Sequence, residues 1–253
     1  MNRKVKNIVL KGLLLVVVIG FIALLIIAKA KRERLFSSNV EIKINHLNGN
    51  YFVDQQTIFN NIKRRFPVNQ KIDNEYLSNL EKFLEINPQI KDVQAFIDNS
   101  GKLNVSIIQR QPILRVITND GLNFYVDEEG NKFPTSKQYT AKVSVVTGLR
   151  TEKGGKSGKI SNAVLREVLN INHFVKKDEF LSELIGQYYV DERNNIILIP
   201  RLGDFSIEIG DDKNLESKFK NLKIFYFEGL KNVGWETYKR INVKFEGQVI
   251  GTK

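Results

Sequence analysis

Two histidines and an acidic run are the residues in this sequence best suited to proton transfer or metal binding. His46 and His173 are far apart, and neither has a second ligand or a nucleophile at a useful spacing. His46 follows a predicted strand and is expected at the surface or in a turn. His173 ends a predicted helix, where a cation offsets the helix dipole. The run Asp127–Glu129 leads into a glycine and is typical of solvated turn acids.

A Gly-Gly-Lys-Ser string at residues 154–157 invites comparison with a phosphate-binding loop. That loop requires a glycine five residues before Gly155, where this chain has Arg150. The string therefore predicts a basic, glycine-rich surface loop over residues 150–160, with no nucleotide site. Because the chain has no cysteine, disulfides, thiolate nucleophiles and cysteine metal sites are excluded. We predict a protein that is not an enzyme and that binds no metal or cofactor.

The positive charge is concentrated near the N-terminus. Residues 1–34 carry eight Lys or Arg side chains and one Glu, which accounts for +7 of the net charge of +11. These cations flank an uncharged run of 17 residues, Gly12–Ala28. Cations around an apolar run are typical of a membrane span, where they contact lipid headgroups. No later segment combines a basic stripe with stacking aromatics, so nucleic acid is not an expected partner.

We predict one transmembrane helix at residues 8–28, after a cytoplasmic tail at 1–7 and before a juxtamembrane linker at 29–39. The alternative is a cleaved signal peptide, because Ala28-Lys29-Ala30 fits a small-x-small cleavage site. Against it, the apolar stretch is longer than a signal peptide requires, and cations surround the site. A short tail before a long domain favours an N-in orientation, with the C-terminal region outside the cytoplasm.

Residues 40–111 are predicted to form a strand–helix–helix–strand–strand module. Asp54 and Asp73 stand where they would cap two helices, and Pro67 and Asn87-Pro88 would end them. The run Asp98–Gly101 is a hairpin turn signal. The predicted strands are Val40–Ile44, Val93–Ile97 and Leu103–Ile108. Two helices on one face of such a sheet give a small α+β layer.

Residues 112–253 are predicted to form a mixed, β-rich domain with flanking helices, so that the whole chain is of the α+β class. The helices are expected at 161–174, with Ser161 as N-cap, and at Asn214–Phe227. A final strand is expected at Ile241–Ile250. The other predicted strands are Ile113–Thr118, Leu122–Val126, Val143–Val146, Tyr188–Val190, Ile196–Ile199 and Phe205–Ile209.

Four strings, in this order, resemble the bacterial cell-division family FtsQ, also called DivIB. They are LEINPQIKDVQAFIDNSGKLNVSIIQRQPILRV at 84–116, FYVDEEGNKF at 124–133, VVTGL at 145–149 and KRINVKFEGQVIG at 239–251. The resemblance implies that residues 40–111 are a POTRA-like domain. It also implies a non-enzymatic scaffold of the divisome at the septum of the inner membrane. Such a scaffold binds FtsB, and through it FtsL, and helps control the septal peptidoglycan synthase pair FtsW and FtsI.

The resemblance further implies that FtsB adds a strand to the last β-strand. The residues that match the family's partner-binding positions are Lys244, Phe245, Gly247, Ile250 and Gly251. Asn242 stands where the family often has an acid, and Thr252 stands where some members have a tryptophan. Periodicity alone favours a different interpretation, in which Val243 and Phe245 are packing residues of an edge strand that has no partner, and the resemblance reverses this preference.

Two other functions fit the predicted organisation less well. A membrane-anchored cell-wall enzyme would need convergent polar groups, which the sequence does not supply. A membrane-anchored POTRA-bearing factor for protein export or envelope assembly would use the same strand addition. Such factors usually carry repeated POTRA units or a transmembrane β-barrel, and neither is visible in this sequence.

Overall fold

The structure is a computed structural model that describes residues 12, 14–24, 40–46, 49, 51–66, 72–234, 237–245 and 247–253. The predicted tail, the linker at 29–39 and both ends of the predicted span lie outside the described residues. Residues 14–24 are helical and exposed. None of the helices in the described part of the chain is both long enough and apolar enough to cross a bilayer.

The chain divides into two compact units. The first comprises Met1–Asn45 and Val53–Ile108, and the second comprises His46–Phe52 and Gln109–Lys253. The short segment between these parts of the first unit belongs to the second because Phe52 is buried there. Its ring contacts those of Tyr125 and Phe133 edge-on, and its backbone N–H donates to Gln109 Oε1 at 2.9 Å.

The first unit has the predicted order of elements. They are β1 (Val40–Asn45), α1 (Gln55–Arg65), α2 (Asn74–Glu85), β2 (Ile90–Ile97) and β3 (Leu103–Gln109). The strand order is β1-β3-β2, with β1 parallel to β3. Both predicted N-caps are confirmed, because Asp54 accepts from the Thr57 N–H and Asp73 from the Tyr76 N–H. The apolar faces of both helices are buried, at positions such as Ile62 and Leu80.

The predicted hairpin turn between β2 and β3 is confirmed and is held by one carboxylate. Asp98 accepts hydrogen bonds from Ser100, Lys102 and Asn104. The bond from the Ser100 hydroxyl contributes most, and together these bonds lower the pKa of Asp98 to about 2. Gly101 closes the turn with a φ of +84°, which suits glycine.

The second unit is built on one ten-stranded mixed sheet. Its strands are β4 (Pro112–Ile117), β5 (Asn123–Asp127), β6 (Asn131–Pro134), β7 (Ser144–Thr147), β8 (Gly158–Lys159), β9 (Ile185–Val190), β10 (Ile196–Pro200), β11 (Ser206–Gly210), β12 (Arg240–Asn242) and β13 (Ile250–Thr252). The strand order is β13-β12-β11-β10-β9-β7-β4-β5-β6-β8. The sequence does not predict β6 and β8, because both strands are short and lack an apolar alternation.

Helices pack against the core of this sheet. They are α3 (Ala163–Lys176), α4 (Glu179–Leu184), α5 (Leu215–Ile224) and α6 (Leu230–Val233), with a π-helical turn at Phe225–Gly229 between the last two. Two sequence predictions are wrong in detail. Asn162, not Ser161, caps α3 by accepting from the Leu165 N–H at 3.1 Å, because the Ser161 hydroxyl donates to Glu152 instead. The predicted helix at Asn214–Phe227 changes to π-helical geometry at Phe225.

Asp127 is not the solvated turn acid that the sequence predicts, because it is only 2% exposed. Arg110 Nη1 contacts its carboxylate at 2.7 Å, and the Asn131 N–H donates to it at 2.7 Å. A buried carboxylate requires such partners to offset its desolvation. The residue therefore closes the β5–β6 turn from inside. Glu128 and Glu129 are exposed, as predicted.

The glycine-rich loop at 150–160 is attached to the fold by a buried ion pair. Lys132 Nζ lies 3.0 Å from Glu152 Oε1, and both side chains are fully buried. Glu152 also accepts from the Ser161 N–H and hydroxyl and from the Asn162 N–H. Burial acts to raise the pKa of Glu152, but the hydrogen bonds from Ser161, Lys132 and Asn162 outweigh it, so the pKa is lowered.

We predict that Glu152→Gln lowers the free energy of unfolding by about 3 kcal/mol at neutral pH, because it leaves the Lys132 charge buried without its partner. Denaturant unfolding measures this loss. Because the pKa of Glu152 is lowered in the folded protein, the ion pair contributes its full stability above the ordinary pKa of a glutamate. That contribution is lost as the pH falls through the pKa that Glu152 has in the folded state. The difference between variant and wild type should therefore shrink in acid. Glu128→Gln, at an exposed position, is the matched control, and an equal loss in both variants would contradict this account.

Candidate partner-binding edge

The sheet of the second unit ends at β13. This strand pairs antiparallel with β12 and, among the residues that the structure describes, with no other strand. An edge strand presents unpaired N–H and C=O groups along its outer side, which can template another chain. All three of its residues, Ile250–Thr252, are exposed. The opposite edge is β8, which has only two residues.

The predicted single strand at Ile241–Ile250 is wrong. The chain leaves β12 after Asn242, turns, and returns as β13 to form a hairpin. Two local features explain the turn. The Lys244 N–H donates to Asn242 Oδ1 at 3.0 Å. The Asn242 side chain thus accepts a hydrogen bond that a neighbouring strand would otherwise accept. Gly247 has a φ of +72°, a conformation that glycine adopts without strain.

Glu208 on β11 binds three polar side chains of this hairpin. Its carboxylate lies 3.3 Å from Arg240 Nε and 3.1 Å from Lys244 Nζ, and it accepts from Asn242 Nδ2 at 3.0 Å. The apolar alternation of Phe205–Ile209 predicts Glu208 on the polar face of its strand. A single acid on that face predicts a Lys or Arg partner on a neighbouring strand, but the sequence does not indicate which residue that partner is.

Lys244 is therefore held against the sheet. Besides its ion pair, its methylene groups cross Gly210, where a Cβ would lie 2.9 Å from Lys244 Cγ and Cδ. Gly210 also has a φ of +79°, so it is glycine for two reasons. Of the other predicted binding residues, Phe245 is half-exposed in the loop after β12, and Gly247 is exposed in the turn. Ile250 is 44% exposed on the edge strand itself.

Gly251 has a structural role that sequence analysis did not predict. A Cβ at this position would lie 2.5 Å from Tyr238 Cδ1 and 2.6 Å from Cε1. The Tyr238 ring packs against the core and lies 5.6 Å from the Phe225 ring, centroid to centroid. The close approach of Gly251 therefore lets β13 lie over this ring. Nothing in the sequence pairs a tyrosine with a glycine thirteen positions later.

An exposed ion pair and a backbone hydrogen bond lie at the start of the hairpin. Lys239 Nζ contacts Asp204 Oδ2 at 2.7 Å. The hydrogen bond and the positive charge of Lys239 lower the pKa of Asp204. The Lys239 N–H also donates to the Thr252 carbonyl at 2.8 Å. Thr252 is exposed and ends β13.

The other chemistry-bearing residues do not converge on this edge. His46 is exposed at the end of β1, as predicted, and its Nδ1 lies 3.0 Å from Gln109 Nε2. His173 lies in the last turn of α3, as predicted, with a buried Nε2. Within the described ranges, no three His, Asp or Glu side chains are grouped as metal ligands would be. Within the part of the chain that the structure describes, the feature of this edge that stands out is the row of backbone N–H and C=O groups along the outer side of β13.

Comparison with known proteins matches both units. A family described as "FtsQ/DivIB, C-terminal related" matches residues 111–252, which is more than half of the chain. The chain belongs to the FtsQ/DivIB family. A POTRA-like domain matches residues 36–108. No curated protein matches the chain.

Membership of the FtsQ/DivIB family gives the chain its general role. The family is a non-catalytic scaffold family of the divisome, and its members act in cell division through protein–protein interactions. An exposed sheet edge is a type of surface that protein–protein interactions use. The match also reaches residue 252, so it includes β13, the edge strand of this FtsQ/DivIB protein.

We predict that Gly251→Ala destabilises β13 specifically. Because the new methyl group would overlap the Tyr238 ring, the strand or the ring must move, at a cost of about 1–3 kcal/mol. Hydrogen exchange should show faster exchange at Ile250–Thr252 than in the wild type. Thr252→Ala, at an exposed position on the same strand, is the control and should leave that exchange unchanged. Equal exchange in Gly251→Ala and wild type would contradict the packing role.

Proposed function

We propose that this protein binds FtsB, and through it FtsL, by adding a partner strand to β13. By that contact it helps control septal peptidoglycan synthesis by FtsW and FtsI. The observation that carries the proposal is the open outer side of β13 at the end of the ten-stranded sheet. Backbone hydrogen bonds to an added strand would supply affinity, and side chains beside the edge would supply specificity.

The side chains around β13 support a partner with mixed chemistry. Ile250 on the strand and Phe245 in the preceding loop are apolar and about half exposed. Arg240 is also well exposed and shares Glu208 with Lys244. A partner strand with one large apolar side chain could cover Ile250. Lys244 would contribute through Glu208 and the shape of the hairpin rather than as a free cation.

An edge in the first unit is less suited to strand addition. On β2, the Ala95 N–H already donates to Glu81 Oε1 of α2 at 2.7 Å. A side chain that occupies an outward N–H competes with an incoming strand. We therefore infer that β13, and not β2, is the binding edge.

Strand addition at β13 predicts a local loss of binding. Ile250→Asp places a charge on the edge strand and should weaken binding of FtsB and FtsL roughly tenfold or more. The matched control is Ile117→Asp on β4, six strands away, where the isoleucine is 38% exposed against 44% at Ile250. Pull-down and titration with the purified partners measure the effect. Equal binding by both variants and wild type would rule out this edge.

A short truncation separates binding from folding. Deleting residues 250–253 removes β13 but leaves β12, whose Ile241 is fully buried, and Val249, which packs against the core. The truncated protein should keep its thermal unfolding transition within a few degrees and lose the partners. Retained binding after this deletion would contradict the proposal. Circular dichroism of the same sample shows whether the fold has survived.

The membrane anchor is a separate part of the proposal. Residues 8–28 would form one span, N-in, with residues 40–253 outside the cytoplasm at the division septum. The support is the uncharged run Gly12–Ala28 and its flanking cations.

We expect the full chain to stay in the membrane fraction after alkaline carbonate extraction. Added protease should digest the C-terminal region in spheroplasts, because that region lies outside the cytoplasm. A fluorescent fusion should concentrate at septa. A soluble mature chain that begins at Lys31 would instead indicate a cleaved signal peptide and would overturn the anchor.

A further inference from the structure

A groove lies in the first unit where the end of α1 meets the outer face of α2. It has a volume of about 540 Å³, which is within the range of sites that hold ligands or side chains of a partner. Its lining residues are Arg65, Phe66, Asn79, Lys82, Phe83 and Ile86. The groove is remote in sequence from the residues of β13.

The floor of this groove is apolar and preformed. The Phe66 ring lies 5.4 Å from the Phe83 ring and 5.5 Å from the Tyr76 ring, between centroids. The Tyr76 hydroxyl donates to the Phe66 carbonyl at 3.0 Å, which fixes the backbone there. Ile86, at the end of α2, is 77% exposed. A rigid aromatic floor reduces the entropy lost when a partner side chain binds.

The rim of the groove is cationic. The Arg65 guanidinium lies 5.3 Å from the centre of the Phe83 ring, and Lys82 stands on the next helix. Neither side chain forms an ion pair with any residue that the structure describes. Lys63 and Arg64 precede Arg65 in the last turn of α1, a helix that contains no acid. Among the described residues, none of those that line the groove is acidic.

We propose that this groove docks a short acidic segment of another protein. One large apolar side chain of that segment would rest on Phe66, Phe83 and Ile86. Its carboxylates would bind Arg65 and Lys82. The Arg65 guanidinium, already placed over the Phe83 ring, can donate two parallel hydrogen bonds to one carboxylate. Arg and aromatic residues are the types that dominate binding energy at interfaces. This second site does not depend on strand addition at β13.

The probe is a labelled synthetic peptide of about 12 residues, in which glutamates lie on both sides of two leucines at the centre. Fluorescence anisotropy with the full chain in detergent micelles should give saturable binding that weakens as salt is raised. The paired change Arg65→Glu and Lys82→Glu should weaken binding roughly tenfold or more, and Ile86→Ser should weaken it independently of salt.

The matched control is the paired change Lys43→Glu and Lys91→Glu, which alters the net charge equally on exposed positions of β1 and β2. It should leave binding within about twofold of wild type. A peptide with lysines in place of the glutamates should not bind.

Equal weakening of binding by both paired changes would overturn the site, and so would a failure of the acidic peptide to bind. Binding of phosphatidylglycerol vesicles but not of the peptide would overturn the proposal in favour of a lipid surface. Binding of FtsB to the Arg65/Lys82 variant tests the β13 site separately.

Discussion

An open β-sheet must end, and the backbone groups along its last strand have no partner within the sheet. In this protein that last strand is β13, whose three exposed residues form one edge of the ten-stranded sheet. The neighbouring strands are arranged to hold this edge in place. Glu208 binds side chains of β12 and of the loop that follows it, and Gly251 lets β13 lie against Tyr238. The edge is therefore a positioned surface rather than a frayed end.

Carboxylates act both locally and across the fold. Asp54 and Asp73 cap helices, and Asp98 holds a hairpin turn. Glu152 instead binds Lys132, and this buried pair links a loop to the sheet and to the start of α3. Removing one member of such a pair is costly, because the other charge is left buried without its partner.

The edge at β13 has the features of a surface that binds another protein chain. Binding surfaces of this kind need backbone groups, a few exposed apolar side chains and fixed geometry, and β13 has all three. The groove on the first unit differs in character, because cations and aromatic rings replace the open backbone.

The sequence by itself determined the features that depend on neighbouring residues. The caps at Asp54 and Asp73, the turn at Asp98–Gly101 and the strand–helix–helix–strand–strand order follow from local hydrogen bonding and periodicity, and the structure confirms them. The order of motifs along the chain also indicated the FtsQ/DivIB family, which comparison confirms. Only the tertiary structure decided the rest. Asp127 is buried because Arg110 lies beside it, and Lys244 is tied to the sheet because Glu208 on another strand faces it. The last strand is β13 rather than 241–250 because a side-chain hydrogen bond and one positive φ turn the chain. Apolar alternation continues through that turn, so the pattern alone could not reveal it.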